Sequence, residues 1–248
     1  MSRLDRAVGL ARSLAIYHLM PRRQRPLRRL YGSFLRPGDL AFDIGAHVGN
    51  RTRALAAIGC RVVAVEPQPA VAAALRAVVG RTAAVEVVEA AVSRTAGRAR
   101  LAVSERTPTV STLAEDWRDR RRGEAGFAGV EWNTSVEVET TTLDALVARH
   151  GLPAFVKLDI EGGELAALDG LSRAVRCVSF EYLPEALDAV TACGQRLLRL
   201  GAYRFNWTPA ESHRLASDEW LALDALVRRL AGTARHGDVY ARLETPDA

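Results

Sequence analysis

The stretch RPGDLAFDIGAHVGNRTRALAAIGCRVVAVE, Arg36 to Glu66, decides how the chain folds. Pro37-Gly38-Asp39 reads as a turn, and Leu40 to Ile44 is a short apolar run with Asp43 near its end. Gly45-Ala46-His47-Val48-Gly49 follows, then an apolar period of helical type to Ile58, a stop at Gly59, and a second apolar run, Val62 to Val65, closed by Glu66. Strand, glycine turn, helix, strand and acid make a right-handed βαβ unit, whose ligand site lies at the carboxyl edge of its strands. Glycines let a ligand approach the backbone where a Cβ would block it, and the following helix presents unpaired N–H groups. Glu66 lies 21 residues after Gly45, where an acid at the tip of the second strand accepts hydrogen bonds from both hydroxyls of a ribose.

The spacing selects among nucleosides. A nicotinamide enzyme shows G-x-G-x-x-G, whereas this turn reads G-x-x-x-G, and no G-K-[ST] phosphate loop is present. Asp43, two residues ahead of the first glycine, is out of place beside a pyrophosphate. It suits a ligand with an ammonium and a sulfonium, the two cations of S-adenosylmethionine.

The 248 residues suffice for one large α/β domain with a buried core, and 48% hydrophobic with 25% charged residues is ordinary globular composition. Cys60, Cys177 and Cys193 form no C-x-x-C pair, which argues against a disulfide framework and a cysteine zinc site and fits a reducing compartment. No apolar run reaches the ~18–20 residues that span a bilayer, and no signal peptide is evident, so the expected location is the cytoplasm. The net charge of +5 is uneven: residues 1–30 hold eight arginines against Asp5, so the rest of the chain sums to −2. The basic character belongs to the N-terminus, read as a helical extension over 1–34 that flaps over the cleft or touches an anionic membrane surface through residues 1–30. No nucleic-acid module with its aromatic signature is present, and nucleic acid is not an expected partner. Lys157 is the single lysine among 34 basic residues.

Beyond Glu66 the pattern continues as one domain over 35–248. A helix spans Ala70 to Val78, and a strand Val85 to Glu89 runs into the small residues Ala90-Ala91-Val92-Ser93, which leave room for a planar base. An extra strand is expected over Arg98 to Val103 and another over Val136 to Thr141, with a helix from Leu143 capped by Thr142. Residues 104–135 lack periodicity and interleave Trp117, Trp132 and arginines, so they read as a substrate loop that stacks on a sugar or polyol. Ala154 to Ile160 is an interior parallel strand and Val175 to Tyr182 the next. Tyr203 to Trp207 and Asp238 to Leu243 pair antiparallel at the C-terminus, around a helical insertion at 208–236. The fold class is thus α/β, a Rossmann-like doubly wound, mostly parallel sheet with an antiparallel C-terminal hairpin.

In such sheets ligands bind beyond the carboxyl ends of the strands. Here those ends carry Asp43, Glu66, Asp159, Glu161 and Glu181, with His47 in the glycine turn. Asp159 and Glu181 end neighbouring strands and offer oxygen ligands for Mg²⁺. Unassisted Asp159, or a histidine such as His47, is the alternative base.

The segments Asp43-Ile44-Gly45-Ala46-His47-Val48-Gly49, Glu66-Pro67-Gln68-Pro69, Ala90-Ala91-Val92-Ser93, Thr141-Thr142-Leu143-Asp144 and Val156 to Glu164 together resemble the FkbM family of S-adenosylmethionine-dependent methyltransferases, from about Leu35 to Tyr182. The resemblance implies a class I methyltransferase acting on hydroxyls of sugars, glycolipids or polyketide-type products. It implies a cofactor site lined by Asp43, Gly45, Ala46, Gly49, Glu66 and Ala91, joined by His47 and Asp159, and a methyl-transfer region faced by Asp159 and Glu161. One departure is plain: the family turn reads G-A-N, and here His47 replaces the asparagine. The other readings of the same residues are a nicotinamide-dependent oxidoreductase and a non-catalytic nucleoside-binding module. The acceptor expected is a small molecule or oligosaccharide.

Overall fold

The computed structural model describes residues 24–80, 82–104, 107, 110–121, 124, 127 and 129–244. The first helix among the described residues, α1 (Gln24–Gly32), leads into the unit read from the sequence: β1 (Leu40–Ile44), α2 (Asn50–Ala57) and β2 (Arg61–Val65). α3 (Pro69–Val79), whose Pro69 fits the first helical turn, leads to β3 (Val85–Val88). β4 (Ala91–Val92), β5 (Gly97–Val103), α4 (Glu115–Arg121) and β6 (Thr134–Thr141) form an excursion before α5 (Leu143–His150) and β7 (Phe155–Leu158). Then come α6 (Glu164–Asp169), β8 (Cys177–Tyr182), α7 (Leu187–Leu198), β9 (Tyr203–Pro209), α8 (Leu223–Ala231) and β10 (Gly237–Leu243). The Thr142 hydroxyl accepts the Ala145 N–H at 3.0 Å, which is the expected cap of α5.

The main sheet runs β3-β2-β1-β7-β8-β10-β9, with β10 antiparallel to both neighbours. From β1 the chain steps outward to β2 and β3, then returns to β7 on the other side of β1. The order therefore reverses between β1 and β7, and a crevice opens there at the carboxyl ends. Alternation along the strands sorts the core. Ala41, Val62, Phe155, Cys177 and Tyr240 face α1 and α2, while Phe42, Val63, Val156, Val178 and Val239 face α5 to α8. Helices cover both faces, so the strands read as near-continuous apolar runs. β4, β6 and β5 form a second, three-stranded sheet.

Three sequence expectations are revised. Residues 24–35 do not stand apart as an extension, because Leu27, Leu30, Tyr31 and Leu35 are buried in the cluster that includes Phe155 and Tyr240. The remainder of the basic extension, residues 1–23, lies outside the described residues. Within 104–135 a short helix forms, and Trp117 and Arg121 are buried rather than presented to a ligand. Trp117 packs edge-on against Phe127 and Trp132, and Arg121 stacks on both Trp117 and Phe127 while pairing with Glu124 and Glu185. Rings that look available in a polar stretch here have apolar partners. Of the helical insertion at 208–236 only Leu223–Ala231 is helix, its apolar face (Leu223, Leu226, Leu230) packed on α7.

Candidate active site

Two hollows meet over the β1–α2 turn. The inner cleft is lined by Glu66, Ala90, Ala91, Val92, Leu101 and Leu113, an acid beside small and apolar walls. The outer cavity, about 240 Å³, is lined by Asp43, Ala46, Arg51, Glu181, Glu211, His236 and Asp238. Gly45, His47, Asp159 and Glu161 border both. The turn is built for close approach: Gly45 has φ +80, and a Cβ there would overlap the Asp159 carbonyl oxygen. His47 holds φ +48, and its N–H donates to Glu66 Oε2 at 3.1 Å while the Gln68 N–H donates to Oε1 at 2.9 Å. One backbone donor on each oxygen fixes the carboxylate and leaves lone pairs for a diol. Burial pushes the Glu66 carboxyl up to about 7, although both N–H groups pull it down. Asp43 is buried at the end of β1 and accepts the Thr52 hydroxyl at 2.5 Å; burial raises its carboxyl too.

A charge network lies beneath the outer cavity. Lys157 is 0% exposed, and its Nζ donates to Asp238 Oδ1 at 2.8 Å and to the Leu158 carbonyl at 3.0 Å. Arg51 Nη2 donates to Asp238 Oδ2 at 3.3 Å, and Asp159 sits 3.7 Å from Lys157 and 3.8 Å from Arg51. Burial opposes ionisation of Asp238, but Lys157 and Arg51 overcome it and hold its carboxyl at about 2. Burial likewise opposes the Lys157 charge, and Asp159 with Asp238 raises it instead. Across from this network stand Glu161 and Glu181. Burial, then each other's charge or that of Asp159, drives Glu161 well above the usual carboxylate range and Glu181 to about 8. One ligand atom from each of Asp159, Glu161 and Glu181 lies within 4.8 Å of the others.

The structure thus brings nine of the ten sequence-selected residues to the two hollows: Asp43, Gly45, Ala46, His47, Glu66, Ala91, Asp159, Glu161 and Glu181. Gly49 lines neither; it precedes α2 at φ +84, against Leu75 of α3. Sequence reasoning missed Arg51, Glu211, His236 and Asp238. A signal for Asp238 existed: the single lysine lies in a buried strand and needs a carboxylate, and the second strand of the expected C-terminal hairpin begins with one.

An α/β crevice with an acid held by two backbone donors on one side and an acid-rich cavity on the other suits a protein that works on, or with, a nucleoside. The sequence matches the Methyltransferase FkbM domain over residues 43–196, and the chain belongs to that family. It is an S-adenosylmethionine-dependent methyltransferase, which sets the nicotinamide reading aside. No curated protein matches it in sequence. Among solved structures it is similar to a TehB-like SAM-dependent methyltransferase from Corynebacterium glutamicum, at 11% identity over 94% of each chain and a TM-score of 0.47. It is also similar to the O-methyltransferase from Bacillus cereus in complex with SAH, at 13% identity, 97% of this chain, 89% of that one and a TM-score of 0.45. A third is precorrin-6y C5,15-methyltransferase from Geobacter metallireducens, at 14% identity, 90% of this chain, 87% of that one and a TM-score of 0.44.

The residues fit the cofactor. Glu66 stands where a ribose needs acceptors, Ala90 and Ala91 leave space for a base, and the glycine turn joins that cleft to the cavity. Among the described residues, no helix is long and apolar enough to cross a membrane.

Proposed function

We propose that the chain methylates a hydroxyl of a sugar, glycan, glycolipid or other polyol-like natural product. The observation behind this reading is the Glu161–Glu181 pair beside Asp159 at the join of cleft and cavity. Bound S-adenosylmethionine supplies a methyl group on a cationic sulfur that leaves readily. What remains for the protein is alignment and removal of the hydroxyl proton. Carboxylates along the cavity accept hydrogen bonds from a polyhydroxylated acceptor and orient it. Glu181, titrating at about 8 beside Glu161, takes the proton as the new carbon–oxygen bond forms. Asp159 lies near the join, 3.7 Å from Lys157 and 3.8 Å from Arg51, and His47 borders it from the turn.

The test is transfer from methyl-labelled S-adenosylmethionine to a panel of sugars, glycolipids, catechols, amines and RNA, with the product located by mass spectrometry and NMR. Label on a hydroxyl of a polyol supports the reading; label on nitrogen, carbon or RNA overturns it. With an acceptor in hand, the rate rises with pH through about 8 as Glu181 loses its proton, and Glu181→Gln flattens that rise.

A second reading has its own observation. The oxygens of Asp159, Glu161 and Glu181 match the donors a hard cation such as Mg²⁺ takes, and a cation held there would acidify the acceptor hydroxyl. Calorimetric titration of Mg²⁺ into wild type and Glu181→Gln separates the two. Heat of binding in wild type alone favours the metal; no heat in either leaves the proton to the glutamates. The same proposal places the reaction in the cytoplasm, on a small-molecule or oligosaccharide acceptor and not nucleic acid. Arg25, Arg28 and Arg29, exposed on α1, support peripheral contact between residues 1–30 and an anionic membrane.

A further inference from the structure

We propose that Arg51 is the clamp for the carboxylate at the amino-acid end of the cofactor, and that Asp238, through its bond to Arg51, positions it. The inference rests on the cofactor site described above. With the ribose at Glu66 and the base in the inner cleft, the rest of the molecule crosses Gly45 and His47 and enters the outer cavity. That end carries one ammonium and one carboxylate. The ammonium has a choice of acids, since Asp43, Asp159, Glu161, Glu181, Glu211 and Asp238 all line the cavity. The carboxylate has one arginine or lysine side chain among the described lining residues, and it is Arg51.

Two nearby donors are already committed. Lys157 is sealed beneath the cavity with its ammonium on Asp238 and the Leu158 carbonyl, and the His47 N–H is given to Glu66. Arg51 donates one hydrogen bond, to Asp238, out of five N–H donors. Nη1 lies 3.8 Å from Asp159, beyond hydrogen-bond reach, and is left to pair with a carboxylate. It also sits in the first turn of α2, whose N-terminal dipole favours an anion. Asp238 does not cancel the guanidinium, because Lys157 shares the Asp238 charge at the shorter distance of 2.8 Å against 3.3 Å. The Lys157–Asp238 and Arg51–Asp238 bonds together hold Arg51 at the cavity wall.

Calorimetry with three nucleosides tests this. S-adenosylhomocysteine has the whole amino-acid end, its decarboxylated analogue keeps only the ammonium, and 5′-methylthioadenosine lacks both. Wild type is expected to bind S-adenosylhomocysteine at least 10-fold tighter than the decarboxylated analogue, and the absence of that preference overturns the proposal without any variant. Arg51→Met is expected to weaken S-adenosylhomocysteine by about 10- to 100-fold, the range of a hydrogen bond to a charged group, while 5′-methylthioadenosine changes less than about 2-fold. An Arg51→Met protein that keeps the wild-type preference also overturns it. Should Arg51→Met fail to fold, Asp238→Asn is read instead and is expected to lower the same preference several-fold, an unchanged preference counting against the positioning role. Failure of wild type to bind 5′-methylthioadenosine is a different failure: it sinks the placement of the nucleoside itself, and this inference with it.

Discussion

Glu66 shows how one residue is tuned against the fold that carries it. Its carboxyl titrates at about 7 in the folded protein, above its ordinary value of 4.5, so the folded state holds its proton more tightly than the unfolded chain. Stability from this group is complete below pH 4.5 and is lost as pH rises through 7, on the order of 3 kcal/mol at 1.36 kcal/mol per unit. On the cofactor site proposed for Glu66, binding is expected to run the other way, because an ionised carboxylate accepts both hydroxyls of a ribose. Glu66→Gln is therefore expected to raise the melting temperature of the ligand-free protein at pH 8 by roughly 4–8 °C, with little change at pH 4.5. The gain is smaller than the full linkage, since one of the two backbone donors loses its acceptor at about 1 kcal/mol. The same variant loses the thermal shift that S-adenosylhomocysteine gives wild type, which differential scanning fluorimetry reads in one plate. A variant neither stabilised at pH 8 nor impaired in binding would remove Glu66 from the site.

Elements position the other groups. Lys157 is next to last in β7 and Asp238 second in β10, with β8 between them, so their bond spans two strand spacings beneath the cavity. Lys157→Met strands a buried aspartate with Arg51 alone and is expected to cost about 3–5 kcal/mol in urea unfolding. Lys157→Met with Asp238→Leu removes both charges and is expected to recover most of that stability without recovering cofactor affinity. At the other end of the site, the Glu161–Gly162 turn sits at φ +52 and +90, held by the Thr112 hydroxyl on the Glu161 carbonyl at 2.7 Å. A Cβ on Gly162 would overlap the Trp117 ring, so Gly162→Ala is expected to lose roughly 1–3 kcal/mol and to shift tryptophan fluorescence as α4 gives way.

These elements also show what a sequence conveys. The β1–α2–β2 unit was legible because all of it is contiguous: period, turn, stop and acid follow one another within Arg36 to Glu66. Lys157 to Glu161 was legible as the end of an interior strand. Arg51 was not, being one arginine among many on a helix, distinguished only by what the sheet brings beside it. Asp238 becomes part of the site through register, opposite Glu181 and Thr208, and no local pattern encodes that pairing. Trp117 was misread because a seven-residue helix is too short for a period to declare itself, and its apolar partners come from elsewhere in the chain.

At the scale of the molecule, the boundary between extension and domain decides what survives truncation. A chain begun at Arg36 loses Leu27, Leu30, Tyr31 and Leu35, all buried against the sheet. At about 1.5–3 kcal/mol for each large apolar side chain, that loss approaches the whole stability of an ordinary domain. Such a chain is expected to be insoluble or to melt without a cooperative transition, and a well-folded one would show that α1 is dispensable.

β10 is the last strand in sequence yet lies inside the sheet, between β8 and β9. On the ribosome, β8 and β9 emerge first and must wait, since neither can pair with the other across the space reserved for the final segment. Lys157 meanwhile lacks its principal counter-charge until Asp238 leaves the exit tunnel. A nascent chain can thus bring the β1–α2 turn and β2 together before it completes the cavity wall that carries Asp238.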